Sequence, residues 1–370
     1  MNFEFTTAGR IIFGCGTLAQ AAPVAAQFGC RALVVTGNNS KRVRPLLDAL
    51  KKEGVAFELF TLSNEPTVED AKRAASLTCD LVVGFGGGSV IDLAKAAAAL
   101  MTNPGDPLDY LEVIGKGLPL KNRPAPCIAI PTTAGTGAEV TKNAVLASPE
   151  HNVKVSMRHP LMIPDLAIID PECTLSMPPA ITAATGLDAL TQLLEAFISK
   201  KSNPMTDGFC REGLPRAVRS LRRAFENGAD INAREDMAAA SLFGGLALAN
   251  AGLGAVHGFA GPIGGMFNAP HGIVCAALLP HVMKANLAAM NDLSRLEEFA
   301  RRTGGKTAED GIKWLAGLCR DLQVPSLASL GITESDFPLI VEKSKNASSM
   351  KGNPVELSDG ELTRLLTEAL

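Results

Sequence analysis

Asp188, Gln192, His257 and His271 are four side chains able to ligate a metal, and they fall at two local spacings. Asp188 and Gln192 lie four apart in ITAATGLDALTQLLEAF, so a helix stacks them on one face. His257 and His271 belong to GAVHGFAGPIGGMFNAPHG, whose glycines let the backbone come close to whatever the imidazoles hold. A carboxylate, an amide oxygen and two imidazoles suit a divalent transition metal. An i,i+4 polar pair is ordinarily a solvated helix face, and a histidine in an apolar stretch is ordinarily a satisfied core residue. Context separates this set from both: from Met237 to Met283 no residue carries a formal charge, and the histidines are the strongest polar groups there. Burying imidazole without partners is costly.

These residues need elements to hold them. The first half alternates short apolar strands with helical patterns: ALVVT (Ala32 to Thr36), a helix around Val43 to Glu53, AFELF, a helix around Val68 to Thr78, then LVVGFGGGS. That alternation predicts parallel strands joined by crossover helices. CIAIPT, VLAS and LAIIDP are further strand candidates. After Pro178 and Pro179 the chain turns to long Ala/Leu-rich helical segments that persist to Leu370. The expectation is therefore an α/β domain over 1–178 and an all-helical domain over 179–370, with a cleft between them as the default ligand site.

Composition narrows the function classes. A chain of 370 residues is too long for one ordinary core, and 46% hydrophobic against 20% charged residues implies extensive burial. A net charge of -3 gives no electrostatic case for nucleic acid, and the basic run LPRAVRSLRR (Leu214 to Arg223) reads as the exposed face of a helix. Eight cysteines without a C-x-x-C pair, behind an N-terminus lacking a signal pattern, predict a cytoplasmic protein. Asn250, His257, Pro262, Asn268, Pro270 and His271 interrupt the uncharged stretch, so it reads as buried helices and not as a membrane span.

Two glycine loops suggest a nucleotide. Asp80 to Lys95 reads as strand, glycine turn and helix, and Gly86, Gly87 and Gly88 would present backbone N–H groups at a helix N-terminus, where an anion is favoured. It does not match the G-x-G-x-x-G dinucleotide fingerprint, and a tight structural turn explains a bare glycine run as well. The second loop, Pro131 to Glu139, follows another apolar strand and adds hydroxyls. Two such loops in one domain favour a nucleotide over two structural turns.

The order GGGSxxDxxK (Gly86 to Lys95), PTTAGTGAEVT (Pro131 to Thr141), GLDALTQ (Gly186 to Gln192), AVHGFAGPIG (Ala255 to Gly264) and NAPHG (Asn268 to Gly272), with SSMKGNP near the C-terminus, resembles the iron-containing (group III) alcohol dehydrogenases. The resemblance spans essentially the whole chain. It implies the dehydroquinate synthase-like fold, an N-terminal α/β dinucleotide domain and a helical metal domain, assembled as a homodimer or larger. It also implies that Gly87, Gly88 and Ser89 hold a pyrophosphate with Thr132 and Thr133 beside it, and that Asn143 and Lys154 approach the nicotinamide ribose. Gly37, Asn38, Gly86, Asp92 and Thr136 complete the expected cofactor set. Asp188, Gln192, His257 and His271 are the implied ligands of Fe2+ or Zn2+, with Asp188, His257 and His271 the implied catalytic residues.

Three positions depart from the family pattern. Gln192 stands where a histidine ligand is usual, and its amide oxygen is a weaker and harder donor. Gly261 stands where many members carry a proton-relaying histidine. Gly37 stands where an aspartate often binds the ribose 2'-hydroxyl in NAD-specific members; its absence, with Lys41 and Arg42 nearby, allows NADP as well as NAD. The implied reaction passes hydride between nicotinamide and a small alcohol or aldehyde, with the metal as Lewis acid. Leu248, Phe243, Phe259 and Met350 are candidates for an apolar substrate pocket, although each also suits plain core. His281 reads as structural, and His151 and His159 as loop residues. The rival readings are a metal-free reductase of the same fold, a dehydroquinate synthase-like cyclase, and a non-catalytic nucleotide-binding module. The cyclase requires a dense Lys/Arg cluster, which the uncharged stretch lacks.

Overall fold

The computed structural model describes residues 2–151 and 153–370, and the chain divides into two compact units. One comprises Thr7–Thr133 and Gly137–Ser176. Its strands are β1 (Arg10–Phe13), β2 (Arg31–Gly37), β3 (Ala56–Leu62), β4 (Leu81–Gly86), β5 (Cys127–Pro131), β6 (Asn143–Ser148), β7 (Val153–Arg158) and β8 (Leu166–Ile169). Six of them form one parallel sheet in the order β1-β8-β5-β4-β2-β3, while β6 and β7 make a separate antiparallel ribbon.

The sheet is buried on both faces, which is why β2 and β4 read as unbroken apolar runs. Side chains alternate along β2: Ala32 and Val34 pack with α1 (Ala21–Phe28) and α2 (Ser40–Lys52), whereas Leu33 and Val35 pack with α3 (Val68–Ala75) and α4 (Gly88–Thr102). Helix α4 lies so close to β4 that a Cβ on Gly84 would sit 2.8 Å from the Ala94 side chain, and one on Gly86 would sit 2.6 Å from Val90. Those two glycines are therefore set by helix-on-strand packing as well as by the turn.

The second unit takes residues up to Thr6, Ala134–Thr136 and Met177–Leu370. Its helices are α5 (Pro179–Ile198), α6 (Pro204–Glu226), α7 (Ile231–Ala251), α8 (Ala255–Phe267), α9 (His271–Ala289), α10 (Ser294–Arg302), α11 (Ala308–Asp321), α12 (Phe337–Asn346) and α13 (Asp359–Ala369). Pro179 opens α5, where its fixed φ and missing N–H cost nothing. Helix α5 is buried almost all round and packs against α6, α7 and α9, so the carboxylates and amides it carries are core groups. Helices α7 and α8 meet at 97°, across a break where Gly252 has φ +69. By length and composition α9 could cross a membrane, yet 56% of its apolar window is buried within the protein.

Several details differ from the sequence reading. VLAS is a strand, but it belongs to the β6–β7 ribbon and not to the parallel sheet. RIIF and VKVSMR form β1 and β7, which the apolar-run criterion passed over because one is four residues long and the other alternates with polar residues. Helix α3 ends at Ala75, short of Thr78. The basic run does lie on the solvent face of α6, where it is also paired: Arg216, Arg219 and the Ser220 hydroxyl converge on the carboxylate of Asp236, and Arg223 pairs with Asp230.

Gly272, in the first turn of α9, lies tight against α5: a Cβ there would lie 2.5 Å from the Ala184 carbonyl oxygen. Backbone cannot swing aside as a side-chain tip can, so Gly272→Ala must part α9 from α5. The expected cost is about 1–3 kcal/mol, as for other overpacked cores, read as a lowered urea midpoint. An unchanged midpoint would mean that the two helices separate freely.

Candidate active site

The carboxyl ends of β2, β4 and β5 lie side by side. Thr36 pairs with Phe85 and Gly86 with Pro131, which puts Gly37 beside Gly86 and starts the second loop next to the first. Strand β3 lies outward of β2 and β5 on the far side of β4, so the strand succession reverses direction between β2 and β4. Such a reversal opens a crevice at the carboxyl ends of an α/β sheet, where nucleotides bind. Gly87 is the N-cap of α4, no side chain caps that terminus, and Gly88 and Ser89 begin the helix. The Thr132 N–H donates to the Gly86 carbonyl at 2.8 Å, tying the two loops together, and Thr133 lies against the open side of Gly87. Thr136 falls with Ala134 and Gly135 in the helical unit.

Other expected cofactor residues serve this loop from behind. Buried Lys95 donates to the Ala138 carbonyl and the Thr141 hydroxyl, and is also bonded to the Asn143 carbonyl. Asp92 pairs with Lys95 at 2.9 Å and accepts from the Val145 N–H, so its carboxylate fixes the β6–β7 ribbon to α4. Burial pushes the Asp92 carboxyl up, and pushes Glu139 up to about 7. Asn143 and Lys154 share one face of the ribbon, but Lys154 pairs with Ala147, four residues along from Asn143, or about 13 Å. Lys154 also lies 3.8 Å from Glu65. The Asn38 side chain accepts from Ser63. Arg42, expected to attract a 2'-phosphate, donates instead to the carbonyls of Cys173 (2.7 Å) and Thr132 (3.2 Å), and burial lowers its pKa. Of the two cations invoked for NADP, only Lys41 is exposed and without such an anchor.

Within the helical unit Asp188, His257 and His271 come together from α5, α8 and α9, and Cys275 joins them. One ligand atom from each lies within 4.8 Å of the others. His257 Nε2 is 3.2 Å from Asp188 Oδ1, and His271 Nε2 is 3.9 Å from the same oxygen. Glu195 stands behind His257: one carboxylate oxygen contacts Nδ1 at 2.7 Å and the other accepts the Val256 N–H at 2.7 Å. A proton on Nδ1, shared with Glu195, leaves Nε2 as the lone-pair donor facing Asp188. The break before α8 makes room for this, because a Cβ on Gly254 would lie 2.8 Å from Glu195. The SSMKGNP segment holds the same place, since Asn353 accepts the Ala255 N–H and pairs with Asn286.

The pocket draws positive charge. For His257, burial opposes the charged form, but Cys275, Asp188 and Glu195 together raise its pKa well above the ordinary value. Cys275 raises His271 against burial, and the two imidazoles pull the Cys275 thiol down in spite of its burial. A site that holds protons this firmly offers the same lone pairs to a cation. Gln192, one turn beyond Asp188, has a buried amide oxygen with no hydrogen-bond partner among the described residues, close against Gly244. An orphaned acceptor, an imidazole oriented by a carboxylate and a half-exposed His271 (46%) fit a metal site with one open side. Nothing lies within 4 Å of where a Cβ on Gly261 would be.

The remaining candidates are mostly structural. Phe259 is fully buried in the helical core, Phe243 stacks on Phe209, and Met350 fills the space over Gly258. His281 pairs with Glu368, His151 with Ser148, and His159 caps a short turn. Sequence reasoning missed Glu195 and Cys275. Both were detectable by spacing: Glu195 continues the stripe of Asp188 and Gln192, and Cys275 follows His271 by four on α9.

Residues 8–171 match the family model described as iron-containing alcohol dehydrogenase, and residues 182–370 match that of the Fe-containing alcohol dehydrogenase family, C-terminal. Alcohol dehydrogenase 4 of Schizosaccharomyces pombe is 34% identical over 373 residues, covering 97% of this chain and 87% of the relative. A solved structure of a 1,3-propanediol oxidoreductase superposes with a TM-score of 0.94 at 32% identity, with full coverage of both chains. Sulfoacetaldehyde reductase from Bifidobacterium kashiwanohense, solved in complex with NAD+, gives 0.91 at 30% identity, covering 100% of this chain and 99% of that one.

Replacing Glu195 by Gln keeps the size and one acceptor but offers an N–H to His257 Nδ1, which drives the ring proton to Nε2. Metal affinity is expected to fall about 10- to 100-fold, with little change in the thermal midpoint of the metal-free protein. Competition against a chromogenic chelator reads the change. Equal affinities would show that Glu195 does not set the tautomer.

Proposed function

The chain belongs to the iron-containing alcohol dehydrogenase family and is an NAD-linked oxidoreductase of that family, and from that premise we propose a division of labour among its residues. Asp188, His257 and His271, with the amide oxygen of Gln192 within reach of the same helix face, hold Fe2+ or Zn2+. Gly37, Gly86, Gly87, Gly88, Ser89, Thr132 and Thr133 cradle the dinucleotide. The observation that carries this reading is the convergence of ligand atoms from three helices on one spot, with Glu195 orienting the imidazole.

A divalent ion at that spot supplies Lewis acidity toward an alcohol or aldehyde oxygen, and the nicotinamide supplies the hydride acceptor or donor. The chain's own part is positional. Glu195 and the first turn of α8 fix His257, and the exposed edge of His271 marks the side from which substrate enters. The stretch from Met237 to Met283 carries no charge, which favours small uncharged alcohols and aldehydes over phosphorylated substrates. Gly261 offers no relaying side chain, which leaves water, the cofactor ribose hydroxyl or Thr133 to carry the reaction's proton. An assembly of two or more copies in the cytoplasm is part of the same reading, and among the described residues no strand pairs with the outer edge of β1.

Aldehyde-dependent oxidation of NADH and NADPH, followed by nicotinamide absorbance over a panel of short aldehydes, tests the reading. Activity is expected to vanish on chelation and return with Fe2+ or Zn2+, and His271→Ala is expected to abolish it while nicotinamide binding persists. Turnover indifferent to chelator would make the protein a metal-free reductase.

For the cofactor, Gly37 in place of an acidic residue lets NADP(H) bind at least as well as NAD(H). A Cβ on Gly37 meets nothing within 4 Å, so Gly37→Asp fits without distortion. It is expected to disfavour NADPH by about 1–3 kcal/mol through repulsion of the 2'-phosphate, measured by fluorescence titration of both dinucleotides. Unchanged NADPH affinity would move the adenosine ribose away from β2.

A further inference from the structure

Building on the metal reading above, we infer that Cys275 is a further ligand of the ion through its thiolate, alongside Asp188, His257 and His271. Cys275 is fully buried, one helical turn from His271, with Sγ 3.6 Å from His271 Nε2. Metal–ligand bonds of about 2.0–2.3 Å in tetrahedral array put neighbouring ligand atoms about 3.3–3.8 Å apart. Three of the six separations are 3.2 Å (His257 to Asp188), 3.6 Å (Cys275 to His271) and 3.9 Å (His271 to Asp188), close to that range, and all four atoms lie within 4.8 Å of one another, near enough to contact one ion. Among the described residues, this is the one group of His, Cys, Asp and Glu side chains so arranged.

Charge permits the thiolate. Asp188, Glu195 and the thiolate bring three negative charges, balanced by the two positive charges of the ion and the N-termini of α8 and α9, worth roughly half a charge each. On binding, the S–H bond is lost, a sulfur–metal bond forms, and the proton leaves to solvent. The half-exposed side of His271 remains open for a fifth, exchangeable partner. A thiolate softens the donor set toward Zn2+ and Co2+ and away from Mg2+ and Mn2+.

The test uses the whole protein, stripped by chelator and reloaded with Co2+. Sulfur-to-cobalt charge transfer gives a near-ultraviolet band that oxygen and nitrogen ligands do not. The band is expected at one Co2+ per chain in wild type, and is expected to be absent in Cys275→Ser, whose Zn2+ affinity should fall at least about tenfold. A stoichiometric cobalt complex of the wild type without the band overturns the Cys275 assignment and leaves the metal-dependent reading standing. Failure to take up any stoichiometric Co2+ overturns both. The wild-type spectrum decides even where Cys275→Ser fails to fold.

Discussion

One carboxylate organises the helical unit. Glu195 is buried, and a buried carboxylate must find partners or lose its charge. It finds them in the Val256 amide and the His257 ring, both in the first turn of α8. That demand accounts for features that otherwise look unrelated. Helix α8 must begin where its free amides can reach Glu195, so α7 has to stop and the chain has to turn by 97°. Gly252 supplies the positive φ of the turn, and Gly254 leaves the carboxylate room. The stretch from Met237 to Met283 can then be free of formal charge, because the charge that its polar groups answer to comes from α5.

The α/β unit uses a comparable economy. Gly84 and Gly86 let α4 approach β4 closely, and that approach carries the helix N-terminus to the ends of β2 and β5. Packing thus asks for glycines in the same motif that the proposed anion binding uses, and a reading that credits only one of them is incomplete. Lys95 and Asp92 show the converse. They lie inside the glycine motif yet turn inward, where they bind carbonyls and an amide and hold the β6–β7 ribbon.

How much of this was legible depends on range. The parallel sheet was readable because β2 and β4 are buried on both faces and leave unbroken apolar runs. Asp188, His257 and His271 were readable because strong polar groups in an apolar context need a purpose. Glu195 was hidden by looking ordinary, a glutamate on a helix, until burial and an amide some sixty residues downstream gave it a role. Cys275 was hidden because a cysteine in a helix is usually small core, and only the third dimension sets its sulfur beside His271. Arg42 misled in the opposite sense. Nearness in sequence to Gly37 suggested a phosphate contact, whereas its guanidinium is anchored to the carbonyls of Thr132 and Cys173. Short-range pattern gives elements and spacing, and the destination of a long side chain is a tertiary fact.

The convergence of α5, α8 and α9 also bears on the unfolded chain. Asp188 and His257 are 69 residues apart in sequence, and an ion shared by them would link the polypeptide across that span. Because the site exists only in the fold, an ion bound there stabilises the folded state by mass action, by about 2.7 kcal/mol at a free ion concentration of 100 Kd. The ion would then act as a removable staple whose strength follows metal supply, so that the lifetime of the helical half against heat and proteases becomes a gauge of the metal available to it.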